Sequence, residues 1–200
     1  MTGKFDFGFD FGGKKNMKLV DSYEAKVEDI NKIDLNLYST DVEIKESTNG
    51  LIKVEYYSNK KKNADIKQDG NTIVVNEEEY GNYCIGICLN NRKIVVYVPN
   101  TYLGSYKFET RSGDIRFDID ASKNNVEIET ASGDVLFENL NDADIITTSG
   151  DIKGEVTNKT KIHSTSGDIK FDGDACAICT SASSVMTKEL KGKTLKEAKA

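Results

Sequence analysis

Histidine and proline are almost missing from this 200-residue chain, which has one of each, His163 and Pro99. No Ser/His/Asp or Cys/His set can be assembled around the single histidine with support from the sequence, and His163 itself is expected at the surface. The glycine-containing stretch 8–13 (GFDFGG) is not followed by a helix signal, so it does not resemble a phosphate-binding loop. The sequence therefore predicts no catalytic residues, no cofactor and no enzyme.

The chain also lacks a basic excess and any long apolar run. It has 27 lysine and arginine residues against 33 acidic ones, whereas nucleic-acid-binding domains usually present a basic face. The longest strictly apolar run, 94–98, is far shorter than the ~20 residues of a membrane-spanning helix. The N-terminus has neither the apolar core nor the cleavage site of a signal peptide. We therefore expect no nucleic-acid partner, no transmembrane segment and a cytoplasmic location, or a cell-surface location only where an export or anchor segment lies outside this sequence.

What the chain does have is a repeated Ser-Gly-Asp triplet, at 112–114, 132–134, 149–151 and 166–168, with copies 20, 17 and 17 residues apart. Apolar side chains recur four positions before each serine and three positions after it, with mostly polar residues between them. They are Phe108, Ile128, Ile145 and Ile162 before the triplets, and Ile115, Val135, Ile152 and Ile169 after them. Such period-two alternation is typical of strands with one buried face.

Each Gly-Asp pair is interpreted as a corner between two strands. The glycines at these structural turns are Gly113, Gly133, Gly150 and Gly167. Glycine adopts backbone angles that other residues avoid, and aspartate can hydrogen-bond its own backbone in a turn. The Thr or Ser two positions before each triplet is expected to form a hydroxyl ladder along the stack. A period near 20 residues predicts an all-β fold, a β-helix-like β-solenoid of stacked SGD-cornered coils, with a degenerate copy at 33–44 that has Thr40 in place of glycine.

The predicted organisation is one domain with two short terminal segments. Residues 1–18 form an arm rich in Phe, Gly and Asp, and residues 187–200 form a lysine-rich tail. The single β-solenoid domain between them, 19–186, divides into an irregular, antiparallel N-terminal part (19–100) and the regular SGD coils (101–186).

With the repeat laid out, the chain resembles the bacterial putative-adhesin family, also known as domain of unknown function 4097. Its members carry iterated T-x-SGD-[IV] coils after a Val-Pro junction, which here is Val98-Pro99. The resemblance covers roughly residues 30–186. It implies a β-solenoid without enzymatic activity, and some relatives resemble envelope-stress proteins of Gram-positive bacteria.

The sequence and the resemblance leave two hypotheses for the function, from different classes. The first is a non-catalytic β-solenoid scaffold or adhesin that acts in protein–protein or cell-surface interaction through its sides, its ends or its N-terminal arm. The alternative is a regulatory or sensing module of bacterial envelope stress that binds peptide or lipid ligands. Because the net charge is −6, salt-dependent binding of cationic peptides would favour the alternative.

The aspartates of the triplets are weak candidates for calcium ligands. They are Asp114, Asp134, Asp151 and Asp168. Stacked carboxylates repel each other, and Ca²⁺ between coils is one way to relieve this repulsion. Calcium takes about six to eight oxygens, however, and each coil offers one carboxylate. We therefore favour a structural interpretation, in which each aspartate accepts hydrogen bonds from backbone N–H groups at its own corner.

Four cysteines, spaced as C-x3-C and C-x2-C, are weak candidates for a zinc site. They are Cys84, Cys88, Cys176 and Cys179. Four thiolates can bind structural zinc, but the two pairs are expected to lie several coils apart, beyond the reach of one ion. Reduced thiols without a metal are the favoured interpretation, with Cys179 in the core.

Half of the eight phenylalanines alternate with Asp and Gly near the N-terminus. They are Phe5, Phe7, Phe9 and Phe11. On a strand they would share one apolar face, which would be adhesive in water. Three interpretations stay open: this arm caps its own solenoid, it adds as a strand to another copy or a partner protein, or it is disordered and associates weakly with membranes.

Overall fold

The computed structural model describes residues 17–60, 62–78, 91–156, 160–172 and 177–181. Within these ranges the secondary structure is β, apart from one 3-10 turn at Val27–Asp29, and contains no α-helix. The strands are β1 (Lys18–Lys26), β2 (Lys32–Asn36), β3 (Asp41–Glu46), β4 (Leu51–Ser58), β5 (Ala64–Asp69), β6 (Thr72–Glu77), β7 (Arg92–Val98), β8 (Ser105–Thr110), β9 (Ile115–Thr130), β10 (Val135–Thr147), β11 (Ile152–Val156), β12 (Thr160–Ser164), β13 (Ile169–Asp172) and β14 (Ala177–Ser181). The predicted all-β class is confirmed.

Parallel pairing stacks the strands on either side of each SGD triplet. The segments before the triplets form one parallel series, β6–β2–β8–β9–β10–β12–β14, and those after them form a second, β7–β3–β9–β10–β11–β13. Strands β9 and β10 are long enough to belong to both. Equivalent positions lie side by side: Val135 pairs with Ile115 on one neighbour and with Ile152 on the other. The mixed sheet is therefore solenoid-like, and we call the segment from one triplet to the next a coil.

The N-terminal end adds antiparallel strands to both series. Strand β4 pairs with β7 and β1 with β4, while β5 pairs with β6. The two outer strands meet where the Tyr23 hydroxyl donates to Gln68 Oε1 at 2.5 Å, and Lys62 Nζ lies 2.7 Å from Asp21 Oδ2. These contacts join the ends of the two series, and the predicted division at residue 100 stays a prediction.

The apolar core lies between the two series. Its stacked inward positions include Leu35, Phe108, Ile128, Ile145 and Ile162 in the first series, and Val42, Ile115, Val135, Ile152 and Ile169 in the second. The rings of Phe108 and Phe117 stack at 5.7 Å between centroids, and Gly154 leaves room for the ring of Phe137 in the preceding coil. Each fully buried large side chain contributes about 1.5–3 kcal/mol, so this core provides most of the favourable free energy of folding.

Several predicted features lie outside the described residues. They are the arm with Phe5, Phe7, Phe9 and Phe11, the tail 187–200, and Cys84, Cys88 and Cys176. Cys179 belongs to β14, but its side chain is outside the description. In the described part of the chain, no helix has the length and apolar character needed to cross a membrane.

Candidate functional site

The stack has two edges with different chemistry. At the first, which we call the corner edge, the chain turns at the SGD triplets. At the second, which we call the return edge, the chain passes from the second series back to the first. Examples are 99–104, between β7 and β8, and 118–124, within the long strand β9. The predicted site residues of the triplets all lie at the corner edge.

The glycines of the corner edge pack directly against backbone. A Cβ added at Gly113 would lie less than 3.0 Å from the carbonyl oxygen of Thr40. Gly133 faces the carbonyl oxygen of Gly113 in the same way, Gly150 that of Gly133, and Gly167 that of Gly150. None of these four has a φ in the left-handed region. The sequence-based reason for glycine was therefore wrong, because close approach of successive corners, and not an unusual backbone angle, excludes a side chain.

A buried hydroxyl closes each corner from the inside by accepting the N–H of the corner glycine. The pairs are Thr110–Gly113 (3.1 Å), Thr130–Gly133 (2.9 Å), Thr147–Gly150 (2.9 Å) and Ser164–Gly167 (2.9 Å). The expected ladder of hydroxyls along the stack is thus replaced by a bond within each corner, because the glycine N–H three residues later is the nearest buried donor.

The aspartates connect successive corners. The Oδ1 atoms of Asp41, Asp114, Asp134 and Asp151 each accept the backbone N–H of the aspartate in the next coil. The donor–acceptor pairs are Asp114–Asp41 (3.1 Å), Asp134–Asp114 (2.9 Å), Asp151–Asp134 (2.8 Å) and Asp168–Asp151 (3.0 Å). The N–H groups come from the neighbouring coil and not from the aspartate's own corner, which corrects the sequence-based expectation. Parallel stacking explains the difference, since it brings the next coil's N–H within reach of the carboxylate.

Burial and like charge weaken the acidity of this column at its N-terminal end. Burial raises the pKa of Asp41 to about 6 from 3.8; the Asp114 carboxylate adds to this rise, while the Asp114 N–H and Lys93 oppose it. Burial, together with the Asp134 carboxylate, also raises the pKa of Asp114. A raised carboxyl pKa means that the folded chain binds the proton more tightly, so ionisation at neutral pH destabilises the fold.

The metal candidates are not brought together by the described residues. Among them, no group of three or more His, Cys, Asp or Glu side chains is arranged to hold a metal ion. The aspartate column and the cysteines stay weak candidates for calcium and zinc, and the favoured interpretation without a metal stays a prediction. The single histidine, His163, is exposed on β12, as expected.

A buried ion pair stands near the N-terminal end of the corner edge. Arg92 Nη1 lies 2.6 Å from Glu77 Oε1, and the two side chains are 5% and 0% exposed. Glu77 Oε2 accepts the N–H groups of Tyr38 (2.8 Å) and Ser39 (3.1 Å), and Asn63 Nδ2 donates to Oε1 at 3.1 Å. Burial raises the pKa of Glu77, but these N–H groups and Arg92 outweigh it and hold the pKa below its usual value. The pair thus fixes the ends of β6 and β7 against residues 38–39.

A cleft of about 270 Å³ opens at the return edge. Its floor is apolar and buried, and consists of Val98, Pro99, Tyr102 and Tyr106, of which the two tyrosines are 4% and 1% exposed. The tyrosine rings meet edge to face at 5.5 Å between centroids. Burial raises the pKa of both hydroxyls, which therefore stay protonated at neutral pH.

One wall of the cleft is made by extra residues in the coil between the triplets at 112–114 and 132–134. Phe117 pairs with Phe137 and Asp120 with Asn139, so β9 advances by three residues where β10 advances by two. Further along, Ala121 pairs with Leu140 and Asn125 with Asp142, so β9 advances by four residues where β10 again advances by two. Such bulges redirect side chains, and they are frequent near binding sites. Here they place residues 118–120 and 122–124 around the cleft.

Side-chain hydrogen bonds fix this wall. Asn124 Nδ2 donates to the carbonyl oxygens of Tyr102 (3.1 Å) and Gly104 (2.8 Å), which ties the bulge to the turn beneath it. Asp120 Oδ1 accepts the N–H of Ser122 at 2.9 Å. The wall is thus built into the fold before any ligand arrives.

The rim of the cleft is acidic. Four carboxylates and one ammonium group line it: Glu46, Asp118, Asp120, Glu138 and Lys123. Asp118 Oδ1 is already paired with the Arg116 guanidinium. No site was predicted here from the sequence. The available signal was the spacing of the triplets, which is 20 residues for the first pair and 17 for the others.

These features define a mixed, solenoid-like all-β protein whose repeated polar residues hold its coils together. A sequence model of the Toastrack DUF4097 family matches residues 30–193. The chain belongs to this family, which confirms the resemblance based on the SGD repeat. Among curated proteins, none matches this chain.

Three solved structures are similar over most of the chain. A "putative cell adhesion protein" from Clostridium sporogenes is 9% identical, with a TM-score of 0.42, and the match covers 80% of this chain and 97% of that one. A "putative adhesin" from Bacteroides fragilis is 14% identical, with a TM-score of 0.36 and coverages of 84% and 96%. A "putative lipid binding protein" from Parabacteroides distasonis is 15% identical, with a TM-score of 0.33 and coverages of 84% and 95%. At these scores the likeness transfers no ligand or partner.

Proposed function

We propose that this protein is a non-catalytic β-solenoid scaffold of SGD-cornered coils that acts in protein–protein or cell-surface interaction. The observation that carries the proposal is the use of the repeated polar residues. Each corner hydroxyl accepts a glycine N–H, and the Oδ1 atoms of Asp41, Asp114, Asp134 and Asp151 each accept the N–H of the next aspartate.

Groups engaged in this way support the fold and not a reaction. A nucleophilic hydroxyl must reach a substrate, whereas these hydroxyls are buried beneath the glycines. The repeat therefore supplies a stiff frame, and recognition is left to side chains that point outward.

Among the residues that the structure describes, three large apolar side chains stand exposed on different parts of this frame. They are Leu19 on β1, Leu103 in the turn 99–104, and Ile146 on β10. Single exposed apolar residues are common, so they do not define an interface. Each of them can, however, serve as a crosslinking position for the surface on which it lies.

The alternative, a sensing module that binds a peptide ligand, is favoured by the acidic rim of the return-edge cleft. Four carboxylates, of which Asp118 is paired with Arg116, against Lys123 leave a negative local field that attracts a cationic ligand. A sensing role and a scaffold role then share the requirement for a binding surface, and they differ in whether binding changes a downstream interaction.

Site-specific photo-crosslinking tests the proposal. A photoreactive amino acid would replace Leu19, Leu103 or Ile146, one at a time, in the full chain inside cells that express it, with Ser132 at the corner edge as a control position. We expect at least one of the three positions to crosslink to a defined protein at reproducible sites, and Ser132 not to do so. Absence of crosslinks from all three positions would contradict an interaction scaffold.

A further inference from the structure

We propose that the return-edge cleft binds the cationic side chain, lysine or arginine, of a partner polypeptide. This inference rests on the proposed interaction function and names the surface and the chemistry of the partner. Three features of the cleft carry it: its size, the distribution of its charge and its buried aromatic floor.

The size of the cleft suits one side chain. Sites for drug-sized ligands and cofactors begin at about 300 Å³, and this cleft encloses about 270 Å³. A single long side chain that enters from a partner surface fits within such a volume, and its main chain stays outside.

The charge of the rim selects a cation. Glu46, Asp120 and Glu138 stand at the rim and are exposed, against the single ammonium of Lys123, while the half-buried Asp118 is paired with Arg116. Within the described residues these carboxylates do not form a group arranged to hold a metal ion. Carboxylates spread around a rim suit a delocalised or extended cation with several N–H donors, which describes guanidinium and the end of a lysine side chain.

The floor suits the aliphatic part of such a side chain. Val98 and Pro99 offer apolar surface for methylene groups, and Tyr102 lies beside them. The ring of Tyr106 packs edge to face against the rings of Tyr102, Phe108 and Phe117, which holds this floor in place.

The partner is inferred to be a polypeptide from two contacts taken together, the acidic rim and an apolar side chain on the turn that forms the floor. Leu103 is 70% exposed and belongs to the same turn as Pro99 and Tyr102. A partner that places a cationic residue in the cleft can cover Leu103 with an adjacent apolar residue, whereas a free polyamine cannot. The construction of the cleft also favours a specific role, because the wall is formed by three residues that β9 has and the neighbouring β10 lacks.

The test is an NMR titration of the full-length, ¹⁵N-labelled chain with three probes. The first is the blocked peptide Leu-Arg-Leu, the second is the same peptide with neutral citrulline in place of arginine, and the third is spermidine. We expect the arginine peptide to shift amide signals of 100–104 and 118–124 saturably, the citrulline peptide to bind about tenfold more weakly, and spermidine to bind more weakly than the arginine peptide.

Matched variants separate the cleft from general surface charge. The double variant D120N/E138Q removes two rim carboxylates, and E129Q/D144N removes two from the outer face of the strands before the triplets. We expect D120N/E138Q to weaken binding of the arginine peptide about tenfold and E129Q/D144N to leave it within about twofold. Equal losses in both variants, equal binding of the citrulline peptide, tighter binding of spermidine or no shifts in the cleft would each overturn the inference.

Failure of this inference can be told apart from failure of the scaffold proposal. Crosslinks from Leu19 or Ile146 without titration of the cleft would retain the scaffold and reject the cleft as its binding site. Titration of the cleft without any crosslink in cells would show a binding site but would contradict the interaction role.

Discussion

The corner edge and the return edge are built from the same stacked chain, yet one is filled and the other is open. At the corner edge, successive glycines lie so close to the preceding carbonyl oxygens that no Cβ fits. At the return edge, β9 carries three more residues than its neighbour, and the excess forms one wall of a cleft. Strict repetition lets backbone pack on backbone, whereas a local departure from the repeat leaves space for a ligand.

The largest effect on stability is expected at the corner edge, where the buried ion pair of Arg92 and Glu77 lies beside residues 38–39. Arg92→Leu would leave the buried Glu77 carboxylate without its cationic partner, which costs about 3–5 kcal/mol. We expect a large decrease in the free energy of unfolding, measured by urea denaturation at pH 7.

The double variant E77Q/R92L provides the control for that prediction. Because it removes both charges, we expect it to be more stable than Arg92→Leu alone, with a coupling energy above about 1 kcal/mol. Additive effects of the two substitutions would show that the pair does not stabilise this end of the corner edge.

A smaller but still large effect is expected within the repeat itself. In Gly133→Ala the new methyl group would collide with the carbonyl oxygen of Gly113, so the stack must shift, at a cost of about 3 kcal/mol. Asp120→Asn at the return edge is the matched comparison and should change stability by less than about 0.5 kcal/mol. Thermal unfolding of both variants checks the contrast, and equal melting temperatures would break it.

Removal of a corner hydroxyl should cause a loss of stability of intermediate size. Thr130→Val keeps the shape of the side chain but leaves the N–H of Gly133 without its acceptor, which costs about 2 kcal/mol. Thr130→Ser, which retains the hydroxyl, should recover much of this loss. If the valine and serine variants unfolded at the same urea concentration, the hydrogen bond would not contribute to the corner.

The smallest effect concerns pH. The pKa of Asp41 is raised from 3.8 to about 6, so the folded state gains stability as pH falls from above 6 toward 4, and ionisation at higher pH is unfavourable. Asp41→Asn keeps an oxygen acceptor for the Asp114 N–H and removes the charge. We expect it to stabilise the chain by about 1 kcal/mol at pH 8, after allowance for partial solvent exposure, and not at all at pH 4. A benefit that did not vary with pH would contradict the assignment.

The repeat was predictable because its physical causes are local. Apolar residues such as Phe108 and Ile128, in alternation with polar ones, mark inward positions without any knowledge of the partner strand. The family resemblance, the all-β class and the exposure of His163 follow from residues that lie near each other in the sequence.

What the sequence did not reveal depends on contacts between coils. Close approach at Gly133, the bond from the Asp134 N–H to Asp114, and the ion pair of Glu77 with Arg92 all join positions 15 to 20 residues apart. The cleft was missed for the same reason, since its wall and its floor come from different coils. The 20-residue spacing was visible, but its consequence appears only when the register with β10 is known.

Native-state hydrogen exchange of individual amides tests the central claim most directly, because it reads both edges in one experiment. The account predicts that the N–H groups of Gly113, Gly133 and Gly150, bonded to buried threonine hydroxyls, exchange as slowly as the core strands. Amides in the exposed return-edge turn, at Thr101 and Leu103, should exchange at least about 100-fold faster. Corner glycines that exchange as fast as this turn would show that the SGD corners are not the rigid frame of the protein.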